Sequence, residues 1–231
     1  MDFNSIFTAY YSQFRADSDV PTSSDDEYTV GMRLANEAIN YWANYDSTYW
    51  KELYTTLQLS TQVSPALVTT LTTGTTSYTC PTNFREAGGY VKVINANGTE
   101  VQQYPIIEPS EAQFKSDTED YCYFTGSNKD GYTLHINPSP TSNLNGLRFD
   151  YVYYKTPTEF TTGTDKTEMA NPYFVVHRML AMQFRASRNP YYSSALKDSE
   201  NTVRTMQLDN NSGNWANPPT IADNSYSQWG S

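Results

Sequence analysis

Cysteine, histidine and positive charge are all scarce in this chain of 231 residues, and each scarcity removes a class of function. Cys80 and Cys122 are the only cysteines. Two isolated thiols build neither a zinc site nor a disulfide framework, and each falls in a predicted strand, where it reads as a reduced, half-buried thiol. His135 and His177 are the only histidines. Neither has a nucleophile motif, a metal ligand four residues on or a Gly-rich elbow beside it, so both read as structural or surface side chains. The 15 Lys and Arg are outnumbered by 25 Asp and Glu, which gives a net charge of −10 and a pI near 4.6. Such a surface does not grip nucleic acid, because phosphate contacts need clustered cations. DNA passing close by without sticking is compatible with it.

Other absences narrow the chemistry further. No window approaches the roughly 18 apolar residues that a bilayer span needs, so no membrane partner is expected. Asp2 interrupts any positive leader region and no apolar run follows it, so synthesis in the cytoplasm is expected. Gly88-Gly89 leads into a strand, the wrong order for a helix N-terminus that cradles an anion. The acidic runs Asp25-Asp26-Glu27 and Asp117, Glu119, Asp120 lack the ligand offsets and turning Gly of a calcium loop. The residues therefore point to no enzyme, cofactor or metal site. A carboxylate pair for glycoside hydrolysis is a tertiary property that the sequence leaves open.

What the chain has in quantity is aromatic surface: 20 Tyr, 10 Phe and 4 Trp. Tyr buries a ring and keeps a wet hydroxyl, which suits semi-polar interfaces and solvent-facing sheets alike. Phe3, Ile6, Phe7, Tyr10 and Phe14 predict a short amphipathic helix over residues 2–16. After a polar linker with Pro21, Asp25, Asp26 and Glu27 enrich the first turn of a longer helix. Its stripe is Val30, Leu34, Ala38, Trp42 and Tyr45. Ser47 reads as a fresh N-cap for a helix carrying Tyr49, Trp50, Leu53 and Leu57.

From about Leu59 the period changes to two. Asn97-Gly98 predicts a tight hairpin between Tyr90–Ile94 and Glu100–Tyr104. Residues 121–125 and 132–136 predict a second hairpin, and Pro109–Phe114 one helical turn between them. The strand Leu147–Tyr154 completes a sheet of about six strands, mostly antiparallel because the connections are short. Asn171-Pro172 and Asn189-Pro190 then open two helices, since Asn is a favoured N-cap and Pro a favoured first residue. The first is apolar nearly all round; the second carries the narrower stripe Tyr192, Leu196, Ser199, Val203 and Met206.

The expected fold class is α+β: a bundle of N- and C-terminal helices, an inserted, mostly antiparallel β-domain and an extended C-terminal arm. The expected organisation is residues 1–58 for the N-terminal helices, 59–157 for the β-domain, 158–208 for the C-terminal helices packing on the first ones, and 209–231 for the arm. The arm is rich in Asn, Ser, Gly and Pro and cannot nucleate a core. It nevertheless carries Trp215, Ile221, Tyr226 and Trp229 at wide spacing, as a segment that orders on a partner would need. A plain frayed tail is the rival reading.

Several stretches together resemble the head–tail connector adaptor proteins of tailed bacteriophages. The N-terminal helical pair ends in Trp42 and Trp50 with Leu53; Tyr78-Thr79-Cys80-Pro81-Thr82-Asn83-Phe84-Arg85 is similar to the family's strand, proline turn and following aromatic. Tyr151-Val152-Tyr153-Tyr154-Lys155-Thr156-Pro157 resembles its aromatic strand ending in proline, and the loop holding Thr164-Asp165 leads to a buried helix. The likeness covers residues 25–208. It implies a structural virion protein of the neck: a homo-oligomeric ring, usually dodecameric, that binds the portal, meets a tail or nozzle protein and surrounds the DNA channel. It also implies docking on the portal through an extended C-terminal arm. Three alternatives stand beside it: a tail terminator or tail completion ring within the virion, a carbohydrate-binding β-module, and an acidic hydrolase.

Overall fold

A computed structural model describes residues 1–15, 19–57 and 69–212. Among them the chain forms five α-helices and nine strands, with helices at both ends and three small antiparallel sheets between, an α+β fold as expected. The chain divides into a helical unit, Met1–Leu53 with the segment from Pro157, and a β unit, Tyr54–Thr156.

The helical unit contains α1 (Phe3–Arg15), α2 (Asp26–Ala43), α4 (Tyr173–Ala186) and α5 (Tyr192–Ser212), and α4 packs against the other three. Phe3, Ile6, Phe7, Tyr10 and Tyr11 bury one side of α1. The core face of α2 is rotated from the expected stripe. It runs through Tyr28, Gly31, Ala35, Ala38, Ile39 and Trp42, while Val30 is 42% exposed. Small residues explain the rotation: the Phe7 ring lies directly on Gly31, where an added Cβ would overlap it. Large apolar side chains there would hold α1 off.

Both Asn-Pro signals open helices as expected. The Asn171 side chain accepts from the Tyr173 backbone N–H at 3.1 Å, and the Asn189 side chain from that of Tyr191 at 2.9 Å. Ser199 is fully buried in α5, and its hydroxyl is satisfied by the Leu196 carbonyl at 2.8 Å.

The helix expected over Tyr49–Leu57 does not form. Asp46 and Ser47 take left-handed backbone, φ 47° and 53°, so Ser47 lacks the extended conformation an N-cap needs. Short 3₁₀ turns follow at Tyr45–Ser47 and Lys51–Leu53, and Tyr54–Thr56 becomes strand β1. Tertiary pairing with Tyr154, Tyr153 and Val152 overrides the local apolar spacing. The Trp50 indole N–H donates to the Trp42 carbonyl at 2.7 Å, satisfying one of the last α2 carbonyls.

Strand β2 is Ser77–Thr79, β3 Phe84–Ala87, β4 Tyr90–Ile94 and β5 Glu100–Pro105; α3 (Pro109–Ala112) precedes β6 (Tyr121–Ser127), β7 (Gly131–Asn137), β8 (Arg148–Asp150) and β9 (Val152–Lys155). Both hairpins form, β4–β5 over Asn97-Gly98 with Gly98 at φ 81°, and β6–β7. The single sheet of about six strands is corrected to three sheets, ordered β1-β9-β3, β2-β7-β6 and β5-β4-β8. The split falls at Tyr151. Its backbone N–H bonds the Asp150 side chain at 2.9 Å, so the strand beginning near Leu147 serves β4 before this point and β1 and β3 after it.

The β core centres on Phe84, 2% exposed, whose ring lies 4.8 Å from Phe124, 5.1 Å from Tyr132 and 5.6 Å from Tyr153. Val91, Val93, Leu134, Ile136 and Phe149 complete it.

The stretch from Pro157 to the start of α4 is held by polar clasps. The Asn36 carboxamide spans Phe160, accepting from its N–H at 2.8 Å and donating to its carbonyl at 3.0 Å. The Asp165 carboxylate accepts from both N–H and hydroxyl groups of Thr161 and Thr162, which holds its carboxyl far below the usual range. This loop anchors the start of α1: the Phe3 N–H donates to the Asp165 carbonyl and the Asn4 N–H to that of Gly163, each at 2.9 Å.

Candidate interface surfaces

The groups that most often carry chemistry are engaged in local structure. His135 sits on the polar face of β7, opposite buried Leu134 and Ile136. Its Nδ1 lies 3.2 Å from the Ser77 hydroxyl and its Nε2 2.8 Å from that of Thr125, and the ring stacks on Tyr123 at 4.8 Å. Burial holds its pKa below the ordinary histidine value. His177 pairs with the Thr202 hydroxyl at 3.2 Å, bridging α4 and α5. Cys80 and Cys122 are both buried, and loss of solvent pushes each thiol up to about 12.

The acidic runs hold the fold locally. Asp25 accepts from the Thr22 N–H at 2.7 Å and its hydroxyl at 2.9 Å. Glu27 pairs with Arg15 and accepts from the Tyr11 hydroxyl, both at 3.0 Å, joining α2 to α1. Glu119 pairs with Lys115, and Asp120 accepts from Gln102. Among the described residues, no group of three or more His, Cys, Asp or Glu could hold a metal ion. No described helix is long and apolar enough to cross a membrane.

The features that remain are surfaces. A shallow groove runs along the outer side of α2, lined by Met32, Arg33, Asn36, Glu37 and Asn40 with Glu159 opposite. Large apolar side chains stand in solvent at several places, Phe114 at 83%, Tyr191 at 68% and Leu208 at 61% exposure. A deeper cavity of about 140 Å³ lies inside the helical unit, walled by Trp42 and Trp50, with Glu52, Ala170–Asn171 and the last turns of α5 around it. Two buried polar atoms on residues of that wall, Trp42 Nε1 and Glu52 Oε2, have no hydrogen-bond partner among the described residues.

The sequence-selected interface residues Trp215, Ile221, Tyr226 and Trp229 lie outside the described residues, and α5 carries the helix through Ser212, past the expected start of the arm. The cavity was not among the sequence expectations. Its wall comes from three separate segments, and no local pattern links Glu52, Asn171 and Asn210.

A family model described as SU10 adaptor protein matches residues 10–222. No curated protein matches the chain. The match spans both units, and the chain belongs to this family of tailed-phage adaptor proteins.

Proposed function

We propose that this adaptor-family chain is a structural, non-enzymatic protein of the virion neck, one copy of a homo-oligomeric ring, twelve-fold in the simplest case. The ring connects the portal to the tail or nozzle and surrounds the DNA channel. The observation that carries the reading is the family match over residues 10–222.

Physical features support it. The net charge of −10 per chain gives twelve copies a charge on the order of −120 before counter-ions; the share of it that lines the channel in this reading would repel duplex DNA instead of trapping it. Exposed apolar side chains such as Val30, Tyr173 and Leu208 are available for cover by neighbouring subunits. The two units divide the labour in this reading: the helical unit supplies the ring and the portal-facing contacts, and the β unit the contacts with the tail or nozzle.

The arm, with Trp215, Ile221, Tyr226 and Trp229, is assigned to the portal, because buried Trp often dominates binding energy. Since α5 runs through Ser212, the informative cut follows that residue. A chain ending at Ser212 should keep its circular dichroism spectrum and lose co-sedimentation with purified portal. Undiminished co-sedimentation would remove the arm from the account. Attachment to isolated tail ends with no binding to portal would replace the adaptor with a tail completion ring.

A further inference from the structure

Two places on the described surface combine exposed aromatic rings with free charges, and the charges are of opposite sign. The first lies in the β unit between β5 and β6. Phe114 stands 83% exposed just after the helical turn α3, with Glu108, Glu111 and Asp117 near it in the chain. None of these three carboxylates has an ion-pair or hydrogen-bond partner among the described residues, whereas Lys115 is answered by Glu119 at 3.3 Å. The loop itself is held in place. The Phe114 N–H donates to the Glu111 carbonyl, and the Asn137 carboxamide to the Glu119 carbonyl, each at 2.9 Å. A fixed loop thus presents one bare ring among unanswered acids.

The second place lies in the helical unit, where α1 and α4 end and α5 begins. The half-buried rings of Phe14 and Phe184 are 6.2 Å apart, and Tyr191, 68% exposed, extends the row 6.5 Å beyond Phe184. Arg15 lies over the Phe14 ring at 5.3 Å, but Glu27 already answers its charge. Arg185 and Arg188 are exposed and have no acidic partner among the described residues. Both belong to the helix end that carries Phe184. The Arg188 N–H donates to the Arg185 carbonyl at 3.2 Å, and the Asn189 N–H to the Phe184 carbonyl at 2.9 Å.

We propose that Phe114 of one copy seats against the Phe184 and Tyr191 rings of a second copy, with its neighbouring carboxylates facing Arg185 and Arg188. The inference rests on the self-assembly proposed above, and it adds one contact from the β unit to those that the helical unit supplies. Charge selects the occupant. Two acidic loops repel each other, and so do two arginine turns, whereas the unlike pair attracts. Loop and turn are separate patches of one chain, so their contact is heterologous, the kind that generates rings when the rotation closes. Aromatic and Arg side chains are also those that most often dominate binding energy. A single ring buries about 150–250 Å², against about 1,200–2,000 Å² in a stable interface. Phe114 is therefore an anchor within a larger contact between copies.

The test places the photo-crosslinker p-benzoylphenylalanine at position 114 of the full-length chain, which keeps an aromatic ring there. Chains with and without ¹⁵N label are mixed, concentrated alone or with purified portal, and illuminated. Peptide mass spectrometry should join position 114 to the stretch 184–192, in pairs that combine both isotopes. Glu111→Arg with Asp117→Arg should cut the yield about tenfold or more, and Arg185→Glu with Arg188→Glu should do the same. Mixing the two reversed chains should restore it, and added salt should lower the yield of the original pair. Circular dichroism of each variant should match that of the original chain. Cross-links confined to one isotope would overturn the contact between copies. Cross-links to portal, or to another part of the second copy, would overturn the assigned socket, and so would no cross-link in either mixture. A yield indifferent to both charge reversals would overturn the pairing of loop and turn. If electron micrographs of the same portal mixture show closed rings, each of these failures removes this contact alone and leaves the ring standing.

Discussion

Substituting Gly31 tests the close approach of α1 and α2 through the sign of an effect. In an unobstructed helix interior, Gly→Ala stabilises by about 1 kcal/mol. Here the added Cβ would overlap Phe7 Cε2 and lie 2.6 Å from Cδ2. Phe7 has nowhere to go: it is 1% exposed, and the rings of Tyr28, Phe3, Tyr11 and Tyr10 lie 5.1, 5.7, 5.8 and 6.0 Å away. Overpacking of this kind costs about 1–3 kcal/mol, and contact with a rigid, enclosed ring belongs in the upper half of that range. Gly31→Ala should therefore destabilise by about 1–2 kcal/mol net.

Shortening the ring reverses the balance. Phe7→Leu alone should cost about 1 kcal/mol. In that background Gly31→Ala should stabilise by about 1 kcal/mol, because only the propensity gain remains. The coupling between the two sites is then about 2–3 kcal/mol. Urea unfolding of the four variants, followed by circular dichroism at the helix band, closes the cycle. A Gly31→Ala effect of the same sign in both backgrounds would refute the packing argument.

Asn36→Ala should lower stability by about 1–3 kcal/mol, since two part-buried hydrogen bonds to Phe160 are lost. Amide exchange at Phe160 should quicken with it, and an unchanged rate would contradict the clasp. The Cys80 and Cys122 thiols, pushed up to about 12 by burial, should resist a thiol reagent at pH 8 until the protein unfolds; labelling of the native chain within minutes would count against this. Asp165 is held low, first by the Thr161 and Thr162 N–H groups, so its contribution is full above its unfolded pKa of about 4 and is lost as pH falls through its lower folded value. The Thr161 and Thr162 amide signals should titrate only in that acid window, and Asp165→Asn should abolish the titration. Movement near neutral pH would contradict the assignment.

Features written in adjacent residues were legible in the sequence. Asn171-Pro172, Asn189-Pro190 and Asn97-Gly98 each carry their own backbone preference, and each produced the expected helix start or hairpin turn. What depended on a distant partner was not legible. The core face of α2 is set by the Phe7 ring against Gly31, so an apolar count favoured Val30 wrongly. Tyr54–Thr56 is a strand because β9 pairs with it, although Leu53 and Leu57 keep helical spacing. One aromatic run became β8 and β9 because Tyr151 turns its N–H to Asp150. The cavity wall is assembled from Glu52, Asn171 and Asn210, which only folding brings together.

The most direct measurement of the central claim is cryo-electron microscopy of this chain mixed with its portal in the absence of tail proteins. The account predicts a closed ring of copies stacked coaxially on the portal, with an open axial channel. Portal particles bare of this chain, at concentrations where both proteins are intact and folded, would contradict it.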